Sequence, residues 1–233
     1  MIGHVYHRSL MADILDDLYV ATCDPEIKNA VESFGGKVLM TQPTHERASD
    51  RVAEAVLKVE VEQKQKIDIV VMIQGDEPML FPEMIGEAVR PLLEDESLAV
   101  SNLMAPIKTK EEYEDPNQVK VVVDRKNFAM YFSREPIPSQ KKGVLCVPMF
   151  KQVCIIPFRS DFLSKFNTWS QTPLEIIESV DMLRILENGY KVKMVLTHYE
   201  TYSVDTPEDL KKVERFLAKD LLAQCYQKPL SAP

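Results

Sequence analysis

Asp76 and Glu77 close the stretch Ile67 to Pro78, IDIVVMIQGDEP, directly after a nearly unbroken apolar, β-branched run. Such a run reads as a strand covered on both faces, as in a parallel sheet. Gly75 permits a tight turn or a close approach by a ligand, and Pro78 ends the ladder. The two carboxylates therefore stand at the carboxyl end of a buried strand, the edge where open α/β sheets bind ligands. Carboxylate oxygens there suit Mg²⁺, which takes few ligands from protein and the rest from phosphates and water; an acidic loop after a strand is the alternative. The second acidic feature is Ser203-Val204-Asp205-Thr206-Pro207. Asp205 either complements a helix dipole or, with Asp76, closes a Mg²⁺ site built from two distant loops. Spacing leaves both readings open.

The elements that must hold these residues follow from the periodicity. Met1 to Leu15 reads as a helix, Leu18 to Thr22 as a short strand, and Ile27, Ala30, Val31 and Phe34 as one face of a helix begun at Asp24-Pro25 and ended at Gly35-Gly36. Lys37 to Thr41 is the next strand, so the first half alternates β and α, with a right-handed crossover. A helix runs to about Val61, and another starts at Pro82. The second half is richer in strands: Leu98 to Ile107, then Val119 to Val123 and Phe128 to Phe132 as a hairpin, then Phe150 to Phe158 as one strand. Ser133 to Val147 reads as a polar loop. Pro173 to Gly189 reads as one helix that buries Ile176, Ile177, Val180, Leu183 and Leu186. After the strand Lys191 to Thr197, a capping box at Thr206 opens a final helix. The expected fold is α/β, a three-layer sandwich with a mainly parallel sheet. One domain spans residues 1–226, with a smaller strand-rich extension at 98–158 and a tail at 227–233.

Composition bounds the function. The chain has 233 residues, 45% hydrophobic and 27% charged, with net charge −8. That is globular, and too acidic for nonspecific nucleic-acid binding, which needs a basic footprint. No apolar run reaches membrane-spanning length. Cys23, Cys146, Cys154 and Cys225 lack CxxC spacing, which reads as reduced thiols and a cytoplasmic location. His4, His7 and His198 show no ligand spacing, and Trp169 reads as packing.

Segments along nearly the whole chain carry a resemblance: LYVATCDPEIKNAVESFGGKVLMT, QGDEPML, PNQVKVVVD, YFSREPIP, TPLEIIESVDMLRILENGYKV and VDTPEDLKKV. In this order they resemble the 3-deoxy-manno-octulosonate (Kdo) cytidylyltransferases, or CMP-Kdo synthetases. The resemblance implies a Rossmann-like, Mg²⁺-dependent nucleotidyltransferase, typically a homodimer with the strand-rich extension at its interface. It implies coupling of CTP to the anomeric hydroxyl of a Kdo-type acid sugar with release of pyrophosphate, for lipopolysaccharide or another surface polysaccharide. By position it makes Asp76 and Asp205 the metal carboxylates. Gln74, Arg134, Glu175 and Glu178 fall on the sugar side, and His45, Ser49 and Arg51 on the nucleotide side.

Departures from the family pattern sharpen the expectations. Members open with a strand and a loop of the type IPARxxSTRxPxKxL that holds the triphosphate. This sequence opens at the helix that follows, which predicts weak CTP binding by the given chain and a gap beside the central strands. The nucleotide-side loop has Arg47-Ala48 for Ser-Gly. Gln152 and Ile156 replace the family's histidine and tyrosine, and Ile176 another histidine. A site that loses hydrogen-bonding groups discriminates its substrate differently. Two other readings are a homologue that binds without turnover and a transferase for a related acid sugar.

Overall fold

The computed structural model describes residues 1–141 and 148–226. The end of the expected loop, 142–147, and the expected tail, 227–233, lie outside the described residues. The chain runs through α1 (Ile2–Leu10), β1 (Val20–Thr22), α2 (Pro25–Ser33), β2 (Val38–Met40), α3 (Ala48–Gln63), β3 (Ile69–Ile73) and α4 (Pro82–Glu94). It continues through β4 (Ser101–Pro106), α5 (Lys110–Glu114), the hairpin β5 (Lys120–Val123) and β6 (Ala129–Ser133), β7 (Phe150–Val153) and β8 (Ile155–Arg159). The last elements are α6 (Ser160–Phe166), α7 (Pro173–Glu178), α8 (Met182–Glu187), β9 (Lys193–Leu196), α9 (Pro207–Leu217) and α10 (Leu221–Tyr226).

Local chemistry explains several boundaries. Asp24 caps α2 by accepting from the amides of Glu26 (2.7 Å) and Ile27 (3.3 Å), with Pro25 in the first turn. Gly35, at φ +78°, ends that helix. Gly36 sits so close beneath it that a Cβ would lie 2.6 Å from Val31 Cγ1. Thr206 caps α9 by accepting from the Asp209 amide, while the Asp209 carboxylate accepts from the Thr206 amide.

The layered α/β class is the expected one, but the expected mainly parallel sheet is not: four of the six strand pairings among the described residues are antiparallel. β1 pairs with β2 and β4 with β9 in parallel, whereas β3–β8, β4–β7, β5–β6 and β5–β7 are antiparallel. The apolar run of β3 does not report the direction of its neighbour, and that neighbour comes from the second half of the chain. A bridge between Val100 and Phe158 joins β8 to the sheet of order β6-β5-β7-β4-β9. Two apolar cores result. One, around Met72, Val100, Phe132, Phe158 and Leu183, lies under α3, α6 and α8; the other, around Leu80, Met84, Ile85 and Leu103, lies under α1 and α4.

Two expected elements are broken. Phe150 to Phe158 is not one strand: at Cys154 the chain stops pairing with β4 and β5 and begins pairing with β3. The helix expected over Pro173 to Gly189 divides at Ser179, which adopts φ +54°. The carbonyls of Glu178 and Ser179, which a continuous helix would use internally, accept instead from the Arg134 guanidinium (2.7 and 3.3 Å). The break turns Ile176 and Ile177 outward, 58% and 76% exposed, while Val180 and Leu183 stay buried. Among the described residues no strand lies between β1 and β3. Their facing edges bound a cavity of about 790 Å³ lined by apolar residues such as Ile2, Val5, Val52, Val56 and Val71. No helix among the described residues is long and apolar enough to cross a membrane.

Candidate active site

The stretch after β3 is positioned by backbone hydrogen bonds. Gln74 N–H donates to the Cys154 carbonyl (3.2 Å), which extends the β3–β8 ladder by one residue. Gly75 turns beside α1, where a Cβ would meet Ile2 Cδ1 at 3.4 Å. The Val204 amide then donates to the Asp76 carbonyl (2.9 Å). That bond carries Asp205 to Asp76 across more than half the sequence, after β9 has followed β4 to the same edge of the sheet. Asp76 and Asp205 line one cavity of about 300 Å³ with Gln74, Glu77 and Arg134.

The electrostatics of this wall suit a cation. Asp76 Oδ1 is buried and has no hydrogen-bond partner. Burial raises the Asp76 pKa, a backbone hydrogen bond opposes the rise, and the charge of Asp205 adds to it. Glu77, 6% exposed, is pushed up to about 8, first by burial and then by the charge of Asp76, with Lys151 opposing. No cluster of three potential metal-ligating side chains occurs among the described residues. An orphaned carboxylate oxygen facing a second carboxylate fits Mg²⁺, which needs few protein oxygens, better than a metal that needs a full protein cage.

The remaining expected site residues divide. Gln74 and Arg134 line the cavity. The Arg134 guanidinium is held by three carbonyls, those of Glu178 (2.7 Å), Pro116 (2.9 Å) and Ser179 (3.3 Å). Glu175 and Glu178 do not line it. The Glu175 carboxylate is fully buried and bound at both oxygens by Arg184 (2.7 and 2.6 Å). Glu178 accepts from the Tyr131 and Ser133 hydroxyls and the Arg134 amide. Their oxygens are committed to tying α7 to α8 and to the end of β6. On the nucleotide side, Ser49 is fully buried in the first turn of α3. His45 meets Glu54 at 2.5 Å, and Arg51 donates to Thr41 Oγ1 (2.5 Å). None of these three reaches the 300 Å³ cavity; Arg51 lines the larger gap.

The cavity is also lined by Glu77, Arg47 and Gln152, which the sequence singles out without assigning them a role in the site, and by Ser179 and Asp181, which it does not single out. Glu77 and Arg47 carried a signal, one as half of an acidic pair and the other as a departure from the family loop. Gln152 is held by a buried amide: its Nε2 donates to Asn102 Oδ1 (2.7 Å). Ile156 lines the cavity as an apolar wall, whereas Ile176 points to solvent and away from it.

The comparisons bear on the family and the fold. The family described as Cytidylyltransferase matches residues 1–228. The 3-deoxy-manno-octulosonate cytidylyltransferase of Geotalea uraniireducens is 41% identical over 232 residues, covering 94% of this chain and 89% of its own length. That of Geobacter metallireducens is 40% identical, covering 94% and 88%. Among solved structures, a CMP:2-keto-3-deoxy-manno-octonic acid synthetase complexed with CTP superposes with a TM-score of 0.84 at 35% identity, covering 94% of this chain and 88% of that one. A 4-diphosphocytidyl-2C-methyl-D-erythritol synthase from Anaerococcus prevotii, 12% identical with a TM-score of 0.60, covers 93% and 86% and shares the fold. The chain belongs to the 3-deoxy-manno-octulosonate cytidylyltransferase family.

Proposed function

We propose that this protein activates a Kdo-type acid sugar with CTP, giving the CMP-sugar and pyrophosphate for surface polysaccharide synthesis. The observation that carries this reading is the meeting of Asp76 and Asp205 in one cavity beside Gln74. Asp76 and Asp205 would hold Mg²⁺, which supplies charge neutralisation at the phosphates and acidifies the sugar hydroxyl. Gln74 offers an amide that orients the sugar. Arg134, anchored by three carbonyls, keeps guanidinium N–H groups for an anion. The Kdo reading over another acid sugar rests on the relatives' chemistry, and the changed wall at Gln152 and Ile156 makes a closely related sugar the second reading.

A homodimer completes the proposal. β6 ends the five-stranded sheet and is joined to β9 at its start by the Phe128–Lys193 bridge, and Met130 further along it is 65% exposed. An exposed apolar side chain on the strand beyond that bridge is a natural place for a second copy. Cys23, Cys154 and Cys225 are free thiols, in keeping with a reducing compartment such as the cytoplasm.

The test is pyrophosphate release from CTP, Kdo and Mg²⁺. Turnover should require all three and stop when the metal is chelated. Release that proceeds unchanged in excess chelator, or none with any acid sugar, would withdraw the reading.

A further inference from the structure

Arg47 is not one of the residues that the resemblance assigns to the site, yet its surroundings set it apart from a surface arginine. It stands at the start of α3 and lines the 300 Å³ cavity. One terminal nitrogen donates to Ser179 Oγ (2.9 Å). Its Nε lies 3.7 Å from Glu175 Oε1, beyond hydrogen-bond reach, and is buried with no partner. Glu175 already holds Arg184 through both of its oxygens. A single carboxylate thus stands between two guanidinium groups, and the charge of Arg47 is left without a counterion of its own. Two other acids flank it. Burial raises the Asp181 pKa, and the Ser49 hydroxyl and the charges of Arg184 and Arg47 oppose the rise. Glu46 accepts from the Gln171 amide (3.2 Å) in an exposed setting.

Arg134 reaches the same residue from the other side, where its guanidinium donates to the Ser179 carbonyl. Its three bonds all go to neutral carbonyls, and no ion pair to its guanidinium occurs among the described residues. The left-handed Ser179 therefore seats two guanidinium groups on one wall of the cavity, with Glu46 and Asp181 lining it beside Arg47, while Asp76, Glu77 and Asp205 form a second acidic group. Such a bipolar cavity sorts its ligands: metal-bound phosphate belongs with the carboxylates, and a second, metal-free anion with the arginines. Planar guanidinium forks suit a carboxylate.

Resting on the proposed function, we infer that Arg47 acts with Arg134 as a specificity-determining residue that binds the carboxylate of the acid sugar.

The experiment compares Kdo with its neutral C1 methyl ester as substrates of the wild-type chain, Arg47→Ala and Arg47→Lys, by pyrophosphate release. The wild type should favour the acid over the ester. In Arg47→Ala that preference should fall about 10- to 100-fold, the range for losing a hydrogen bond to a charged group. The loss should fall on KM for the acid more than on kcat, and Arg47→Lys should restore part of it. Because the preference is a ratio within one protein, a poorly folded fraction does not alter it. An unchanged preference in Arg47→Ala, or a rise in KM for CTP in its place, overturns the inference and leaves the function standing. Absence of release from the wild type with every acid sugar overturns the function itself and removes the inference with it.

Discussion

Asp76 and Glu77 are neighbours in sequence with different tasks. Asp76 lines the cavity that Asp205 also lines and carries a buried, unpartnered oxygen, whereas Glu77 is nearly closed off from solvent. Replacing Asp76 or Asp205 by Asn keeps the shape and removes one charge. Each change should lower turnover on the order of 10²- to 10³-fold, and the double variant should be little worse than either single one, because both serve one ion. Steady-state rates of the four proteins check this. Glu77 predicts a pH dependence of stability in the metal-free protein. Its folded pKa is about 8 against 4.5 for the free side chain. Below 4.5 both states are protonated; between 4.5 and 8 the unfolded chain gives up the proton and the folded chain keeps it. Stability should therefore fall as pH rises through that window, and Glu77→Gln should flatten the slope. Urea titrations from pH 5 to 8 read the difference.

At the scale of elements, the Glu175–Arg184 pair is what holds α7 against α8 across the break at Ser179. Both side chains are buried. Replacing Arg184 by Met leaves the buried Glu175 carboxylate with no hydrogen-bonded partner and only the Arg47 guanidinium 3.7 Å away, and should cost roughly 3–5 kcal/mol, whereas the double variant Glu175→Gln with Arg184→Met should recover much of it. Chemical denaturation of the single and double variants settles the sign. The turn after α2 makes a second prediction. Gly36→Ala would place a methyl group 2.6 Å from Val31 Cγ1 and 2.8 Å from Phe34 Cε2. Val31 is fully buried, so the clash has little room to relax. A cost of about 1–3 kcal/mol is expected, seen as a lower melting temperature with the site geometry intact.

For the whole molecule, the two apolar cores lock β3, β8 and β4 between helical layers, while the β1–β2 ladder attaches beyond the gap that borders β3. β6 ends the five-stranded sheet, and past the Phe128–Lys193 bridge at its start it presents the exposed Met130. Light scattering should give twice the 26.6 kDa of one chain, and Met130→Lys should shift the population towards monomer without changing the melting of the monomer. A single-chain mass for the wild type at micromolar concentration would remove the dimer.

Much of this protein is legible in its sequence, because local rules act over a few residues. The Asp24-Pro25 start of α2, the capping box at Thr206 and the β5–β6 hairpin all follow from neighbours close in the chain. The apolar run of β3 does not show that, of its five residues, only Met72 is fully buried. Motifs at two loops pointed to Asp76 and Asp205, although spacing alone left the role of Asp205 open. Tertiary structure decided the rest. A continuous apolar period ran through Pro173 to Gly189, yet Arg134, some 45 positions away, takes the carbonyls at 178 and 179 and splits the helix. The same long-range competition drew Glu175 and Glu178 away from the cavity and left Arg47 facing it. Strand direction in β3 likewise depended on a partner in the second half of the chain. Which distant donor reaches a carbonyl or carboxylate first is a property of the packed chain, and only the three-dimensional arrangement fixes it.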